Sequence, residues 1–188
     1  MSTIILPRDA NHEFVKVMTH ATVEKRDDRY EDYVRSLKAK GLPITEVYAK
    51  ASKGIEPYET VVGDYNAMVD NGINALLLLL VGGGGTAFNT ANAYLAVGSS
   101  TVVWGTTQTA LTTQLGSRMA MQSGTYPQTG TKLQTFKSDW AGSAGDGAWQ
   151  EWGIFNASTA GTMLNRKVEN LGTKAGGTWT LTVTFALS

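Results

Sequence analysis

The chain has 188 residues, with 16 Lys and Arg balanced by 16 Asp and Glu, and it contains no cysteine. This length suits one domain of ordinary size with an appendage, and a hydrophobic content of 42% can supply its core. Zero net charge argues against nucleic-acid or membrane partners, and the lack of cysteine excludes disulfides, thiolate metal sites and cysteine nucleophiles. No basic leader precedes Pro7, so we expect no signal peptide and synthesis in the cytoplasm.

Composition changes near residue 70. Charged residues are dense before this point, whereas most of the 21 glycines and all five tryptophans follow it. A change of this size marks a boundary between regions. The sequence therefore predicts an N-terminal arm with a helical extension over residues 1–63, followed by a helix and a β-sandwich domain over residues 64–188.

Within the arm, residues 24–40 have the pattern of a helix. Tyr30, Tyr33 and Leu37 recur at three- and four-residue spacings, and a Gly-Leu-Pro stop follows. The short β-branched pieces in residues 1–20 and 42–62 have no core of their own. They either pack over the chain's own domain or lie along a neighbouring subunit.

A second helix is predicted over residues 64–81, with Asp64 as a possible N-cap and the glycines at 82–85 as its end. Its apolar run at 76–81 is far shorter than the roughly 20 residues that a membrane span needs. We therefore expect a buried helix.

Residues after 85 alternate in the manner of β-strands separated by Gly-rich turns. The predicted strands are 94–97, 101–104, 118–121, 132–140, 149–155, 162–168 and 178–187. In the last of them Trp179, Leu181 and Val183 share one side, with Phe185 and Leu187, while threonines occupy the other. This pattern predicts a mainly β fold, an antiparallel β-sandwich with one packed helix.

Chemistry-bearing residues are sparse. The glycines at 82–85 look like a phosphate loop, but no Lys-Ser/Thr pair follows them. His12 and His20 are two solvated arm residues, fewer than the three or four ligands of a zinc site. Asp139 and Glu151 could face each other as glycosidase carboxylates do, yet their domain lacks histidine and a Gly-x-Ser-x-Gly motif. We expect no enzyme activity, no cofactor and no bound metal.

Trp149 and Trp152 admit two interpretations. They could stack on a sugar, or they could pack in a core or between subunits. Because they are three residues apart, they point to opposite faces of a regular strand unless a bulge intervenes. The sequence therefore predicts that one is buried and that the other faces a partner.

Several stretches resemble a group of tailed-bacteriophage virion structural proteins. They are Asn71-Gly-Ile-Asn-Ala-Leu, the run at 81–98 that includes Gly-Gly-Gly-Gly-Thr-Ala-Phe-Asn, Trp149-Gln-Glu-Trp-Gly-Ile-Phe-Asn156, residues 161–174 and a Trp-Thr-Leu-Thr-Val-Thr end. The likeness covers about residues 65–188 and weakens toward the N-terminus. It implies a non-enzymatic role in a virion assembled in the host bacterial cytoplasm.

Under this resemblance the leading hypothesis is a capsid decoration or cement protein that stabilises the head through its arm and sandwich. The alternatives are a tail, neck, collar or fibre-anchoring component, or a glycan-binding receptor module. The expected partners are the major capsid protein or other virion subunits and further copies of the chain, without nucleic acid or membrane. The residues predicted to bind a partner are Ile4, Ile5, Phe14, Val17, Tyr30, Tyr33, Trp149 and Trp152.

Overall fold

A computed structural model of the chain describes residues 17–63, 68–122, 126–130 and 132–187. Within these residues the chain forms three helices and nine strands. The helices are α1 (Arg29–Ala39), α2 (Ile44–Gly54) and α3 (Asp70–Leu80). The strands are β1 (Val17–Arg26), β2 (Glu59–Val62), β3 (Tyr94–Gly98), β4 (Met119–Ala120), β5 (Gln128–Gly130), β6 (Leu133–Trp140), β7 (Gly147–Phe155), β8 (Met163–Lys174) and β9 (Thr178–Leu187).

The strands form two antiparallel sheets, which confirms the mainly β, sandwich-type fold. The five-stranded sheet has the order β2-β1-β9-β6-β5, and the four-stranded sheet has the order β4-β3-β7-β8. β9 lies between β1 and β6, with Leu181 opposite Val23 on one side and Ser138 on the other. The core face predicted for β9 is confirmed, because Trp179, Leu181 and Val183 all belong to the buried core, but Thr178 and Thr180 on the other face are buried as well.

Tryptophans fill the middle of the core. Trp149 packs edge-to-face between Trp140 and Trp179, with ring centroids 5.1 and 5.0 Å away. The register between β7 and β8 is irregular between Trp149 and Glu151, so Trp149 and Trp152 both point into the core. Such large rings bury much apolar area and fix their neighbours by shape, so the sandwich is rigid at its centre.

The predicted division at residue 63 is wrong for the described part of the N-terminal region. All ten residues of β1 pair with β9, from Val17 opposite Leu187 to Arg26 opposite Thr178, and β2 pairs with β1 in turn. The strands at both ends of residues 17–62 therefore belong to the five-stranded sheet, so this region is no separate arm. The strand was missed because Glu24 and Lys25 interrupt its apolar pattern.

Two helices lie between β1 and β2, where one helix was predicted. α1 starts at Arg29, since residues 24–26 belong to β1. In place of α2 the sequence predicts only short β-branched pieces without a core. Val47 and Ala51 are four residues apart, however, and they pack together against α1. The paired helices bury one side of each in a small cluster of their own.

The strand predictions hold for β3, β6, β7, β8 and β9, with shifts at their ends. The predicted strand at 118–121 shrinks to the two residues of β4, and residues 101–104 form no strand. The helix predicted at 64–81 is α3, which begins at Asp70, while Asp64 lies outside the described residues. Among the described residues, no helix combines the length and hydropathy that a bilayer crossing requires.

Candidate interaction surface

The outer side of the four-stranded sheet holds an ion pair that is sealed from solvent. Arg166 Nε lies 2.6 Å from Glu151 Oε2, and both side chains are 0% exposed. Glu151 also accepts the backbone N–H of Thr112 at 3.0 Å and of Thr113 at 2.7 Å. A buried pair is tolerated when further hydrogen bonds satisfy its atoms. Here those bonds come from the segment 99–117, which covers the sheet.

Arg166 holds the other end of that segment. Its Nη1 donates to the carbonyl of Val102 and to Gln108 Oε1, both at 3.0 Å. Gln108 Oε1 also accepts the N–H of Gly105 at 3.0 Å. Within the described residues Arg166 Nη2 is buried without a partner. The buried pair therefore fastens the covering segment to β7 and β8 at two separate places.

The tip of this segment is exposed and apolar. Val103 is 83% exposed and Val102 52% exposed, although both are strong strand formers. The tip is also tied to α3, because the N–H of Asp70 donates to the carbonyl of Thr106 at 2.8 Å. The hydrogen bonds of Glu151 and Arg166 thus hold the segment so that Val102 and Val103 are exposed to solvent next to the start of α3.

Helix α3 lies closely against β8 and ends in a defined way. A Cβ on Gly72 would come within 2.1 Å of the Leu164 carbonyl oxygen, so only glycine allows this approach. At the other end the N–H of Gly83 donates to Leu78 and that of Gly82 to Leu79, and Gly82 has φ of +69°. These bonds form a Schellman motif, which explains the glycine run as a helix stop.

The prediction of a buried helix is wrong for α3. Leu76 packs against the core, but the opposite side is open to solvent. We call this open side the α3 apolar face, and it consists of Ile73, Leu77, Leu78, Leu80 and Val81. Leu80 and Val81 are 81% and 75% exposed. An exposed apolar surface of this kind is typical of an interaction site.

An open groove lies on the inner side of α3. It has a volume of about 390 Å³ and is lined by Leu76, Leu79 and Phe88 on one side and by Gln134 and Phe185 on the other, among further residues. At this groove the side chains of α3 and of the five-stranded sheet are therefore not closely packed. The groove adjoins the helix whose other side forms the α3 apolar face.

Charge is sparse on this surface. No Asp, Glu, Lys or Arg occurs between Asp70 and Arg118, so the glycine run, the covering segment and all of α3 after its first residue are neutral. Arg118 itself lies 3.5 Å above the Phe155 ring and donates to the carbonyls of Ala157 and Ala160. Burial lowers the pKa of Arg118. A neutral surface favours partners recognised by shape and apolar burial.

The residues predicted to bind a partner are not brought together. Trp149 and Trp152 are both 0% exposed, and their indole N–H groups donate inside the chain, to the Gly145 carbonyl at 2.8 Å and to Glu169 Oε1 at 2.5 Å. The prediction that one of them faces a partner is wrong, because the irregular register turns both inward. They offer no platform for a sugar either.

The two predicted tyrosines belong to the helix pair. Tyr30 is 1% exposed and lies beneath the Arg26 guanidinium at 4.7 Å, so it is no contact residue, and Tyr33 packs partly buried on the same cluster. Burial, and then the charge of Asp139, raises the pKa of Tyr30 to about 12. Val17 is paired in β1 through its backbone. Ile4, Ile5 and Phe14 lie outside the described residues.

The possible carboxylate pair is also separated. Asp139 is on β6 of the five-stranded sheet, where it accepts hydrogen bonds from Thr180 Oγ1 at 2.7 Å and Gln122 Nε2 at 2.8 Å. Glu151 is on β7 of the other sheet. In the described ranges no three His, Asp or Glu side chains converge as a metal site requires. His12 lies outside those ranges, and His20 lies on β1 opposite Thr184 of β9.

Sequence reasoning missed the Glu151–Arg166 pair and the exposure of α3. One signal was available for Glu151, because it is the only charge in the strand Trp-Gln-Glu-Trp-Gly-Ile-Phe, whereas Arg166 is followed directly by Lys167. A lone charge in such a strand requires an opposite charge nearby. Comparison with known protein families, curated proteins and solved structures found no match to this chain.

Proposed function

We propose that this protein is a non-enzymatic structural subunit of a tailed-phage virion that binds the head as a decoration or cement protein. The observation that carries the proposal is the neutral, exposed α3 apolar face on a rigid tryptophan-filled sandwich. The sequence resemblance supports it, because the similar stretches include α3, the glycine run and β3. Both lines of support therefore include α3.

The binding partner under this proposal is the major capsid protein. Fully burying one leucine side chain contributes roughly 1.5–3 kcal/mol, so the α3 apolar face has enough apolar area for a useful contact. Since residues 71–117 carry no charge, the contact should change little with salt concentration. Many sites on one lattice would then act together.

The stabilising effect is thermodynamic. A protein that binds assembled capsid and not free subunits stabilises the lattice by about 2.7 kcal/mol per site when its free concentration is a hundredfold above its dissociation constant. This mechanism needs no catalytic residue and no cofactor. It needs a fold that does not deform on binding, and the packed core supplies one.

In the sequence-based hypothesis residues 17–62 belong to the arm that contacts the capsid. Because the strands β1 and β2 of this region are built into the five-stranded sheet, the α3 apolar face takes the place of this part of the arm as the contact surface. Contacts by Ile4, Ile5 and Phe14 stay a prediction. A variant starting at residue 17 separates the two: loss of binding to heads would assign the contact to the first 16 residues, whereas unchanged binding would leave it with the α3 apolar face.

The experiment that tests the proposal is a count of copies in purified particles. Virions of the phage that encodes the chain are purified on a density gradient, and its copy number is measured by quantitative mass spectrometry with labelled standard peptides. Hundreds of copies per particle support decoration. A dozen or fewer would assign the protein to the tail or neck, and absence from the particle would overturn a virion role.

A further inference from the structure

The groove on the inner side of α3 is lined by aromatic and aliphatic side chains. Phe88 and Phe185 line it half-buried, and Phe136 lines it at 3% exposure. Leu79 and Leu164 add aliphatic surface, and among the described residues that line the groove none is charged. Its volume of about 390 Å³ lies within the range of ligand sites, roughly 300–1,000 Å³. The lining therefore favours an uncharged, apolar group over an ionic one.

Gln134 places a polar group in this groove, and the chain itself fixes how that group is used. Its Oε1 accepts a hydrogen bond from Thr129 Oγ1 at 2.8 Å, and both residues line the groove. Within the described residues its Nε2 group has no acceptor. A side-chain amide carries two N–H donors on its nitrogen. Because the oxygen is already bonded inside the chain, Gln134 has donors left for a ligand.

Asn89 has the same arrangement in the loop between α3 and β3. Its Oδ1 accepts the N–H groups of Ala91 and Asn92, each at 3.1 Å, and its Nδ2 group meets no acceptor in the described ranges. Asn89 also lines the groove. Two side chains from separate parts of the chain thus bring amide donors to one neutral groove. The complementary group is an uncharged acceptor, and the main-chain carbonyl is the commonest of these in proteins.

We propose that the groove binds a peptide segment of a partner protein, with an aromatic side chain among the phenylalanines and a neighbouring main-chain carbonyl against Gln134 and Asn89. An aromatic ring suits the lining because ring pairs gain from edge-to-face or offset contact beyond the area that they bury. The carbonyl satisfies the two amide groups whose oxygens are used inside the chain. The segment carries no charge at this point, since it meets a neutral lining.

The open form of the groove favours a peptide over a free small molecule. Sites for small molecules enclose most of the ligand's surface, whereas this groove stays open to solvent. A peptide needs only one enclosed side chain, because the rest of its chain continues outside. The groove is on the inner side of α3 and is separate from the α3 apolar face, so this site does not depend on the virion role.

Titration of the isotope-labelled protein by NMR with three uncharged ligands tests the proposal. The probe is a Gly-Phe-Gly peptide capped at both ends; a capped Gly-Ala-Gly peptide lacks the ring, and ethylbenzene lacks the carbonyl. We expect the phenylalanine peptide to bind at least about tenfold more tightly than the alanine peptide, because its ring becomes enclosed. Ethylbenzene should bind about tenfold more weakly than the phenylalanine peptide, since it leaves both amide groups without an acceptor. Equal affinity of the two peptides, or of ethylbenzene and the phenylalanine peptide, would overturn the proposal.

Two variants remove the donors while keeping the bonds inside the chain. Gln134→Glu retains an oxygen for Thr129, and Asn89→Asp retains an oxygen for Ala91 and Asn92, but each loses its N–H groups. We expect each variant to bind the phenylalanine peptide about tenfold more weakly and to bind ethylbenzene as before. An equal loss for both ligands, or no loss for either, would contradict recognition of the carbonyl.

A further pair of variants locates the site. Leu79 lines the groove, whereas its neighbour Leu80 is 81% exposed on the α3 apolar face. Leu79→Trp and Leu80→Trp are checked for folding by thermal denaturation and titrated with the phenylalanine peptide. We expect Leu79→Trp to lose binding, because the larger ring fills the groove, and Leu80→Trp to retain it. Binding by folded Leu79→Trp, or loss in both, would overturn the assignment to this groove. These titrations use the purified protein alone, so their failure leaves the proposed virion role standing.

Discussion

The outer sides of the two sheets differ in how far their charged side chains are exposed to solvent. On the five-stranded sheet Glu24 lies 3.3 Å from Arg26 and 3.8 Å from Lys137, and these groups keep contact with solvent or with the charged helix pair. On the outer side of the four-stranded sheet the ion pair of Glu151 and Arg166 is completely buried under a neutral covering segment, whereas Lys174 at the end of β8 pairs with the partly exposed Asp146 at 2.9 Å. The five-stranded side therefore keeps Glu24 and Lys137 partly exposed to water. The outer side of the four-stranded sheet buries the charges of Glu151 and Arg166 and exposes leucines and valines.

This difference teaches where a partner would bind. A charged, hydrated surface costs desolvation when it is covered, whereas exposed apolar side chains gain from being covered. The buried pair serves the apolar side indirectly, by fixing the segment that carries Val102 and Val103. The contrast is open to direct tests by substitution.

The largest effect is expected from breaking the buried pair. Glu151→Gln leaves the Arg166 charge buried without compensation, so the free energy of unfolding should fall by about 3–5 kcal/mol. Urea denaturation followed by tryptophan fluorescence measures the loss. Glu46→Gln, which breaks an exposed pair with Lys50 on the other side of the molecule, is the control and should cost no more than about 1 kcal/mol. Similar losses for both variants would remove the distinction between the two sides.

The next effect comes from the contact of α3 with β8. Gly72→Ala places a methyl group against the Leu164 backbone oxygen, which cannot move like a side chain, and should cost about 1–3 kcal/mol. Gly83→Ala is the matched control, since its added Cβ comes nearest to the flexible end of Leu78 at 3.0 Å and stays 3.3 Å from the Leu78 backbone oxygen. Thermal denaturation of both variants checks this. If Gly83→Ala proves the more harmful, the close packing of α3 is not what fixes the helix.

Asp139 sharpens the comparison through pH. Burial raises the pKa of its carboxyl above the ordinary value of 3.8, although hydrogen bonds from Thr180 and Gln122 oppose this. Between that value and the raised pKa the folded state binds more protons than the unfolded state, so this group's contribution to stability falls as pH rises. Asp139→Asn should therefore gain stability relative to the parent protein as pH rises from about 4 toward 7.

The control for this pH dependence is Asp146. Its hydrogen bond with Lys174 lowers the pKa of Asp146, so the stabilisation is present above 3.8 and is lost as pH falls through the lowered pKa. Asp146→Asn should accordingly lose stability relative to the parent as pH rises over the acidic range. Denaturation midpoints measured from pH 3 to pH 7 compare the two variants. The same sign for both would contradict the assigned environments.

The smallest effect on stability is expected on the α3 apolar face. Leu77 and Leu80 are 54% and 81% exposed, so replacing both with serine should change the free energy of unfolding by less than about 0.5 kcal/mol each. Leu76→Ser is the contrast, because that side chain packs against the core. Chemical denaturation measures all three changes. A large loss for the exposed pair would mean that the face is structural.

The sequence predicted the sandwich well because alternation and turn glycines mark β3, β6, β7 and β9 directly. It failed for β1, where Glu24, Lys25 and Arg26 find their partners only after folding, for instance Lys25 on Glu59 at 2.8 Å. It also failed for residues 101–104, which have a strand's composition but no strand beside them in the described chain. Composition gives a preference, and tertiary pairing decides the outcome.

The candidate surface was harder to predict than the fold. The leucine run predicted burial, but apolar periodicity does not say how many sides of a helix find cover. The two tryptophans looked like contact residues until the irregular register of β7 and β8 turned them inward. In both cases the missing information was a long-range contact, and no local pattern contains it.

The most direct test of the central claim compares binding to phage heads after changes on the two sides of the molecule. A Leu77→Ser/Leu80→Ser variant is compared with a Tyr58→Ser/Val62→Ser variant, which removes exposed apolar side chains at the β2 edge of the five-stranded sheet. Occupancy of heads that lack the protein is measured by sedimentation of the mixture. We predict that the α3 variant loses binding while the β2 variant keeps it. Full binding by the α3 variant would contradict the proposed role of this surface.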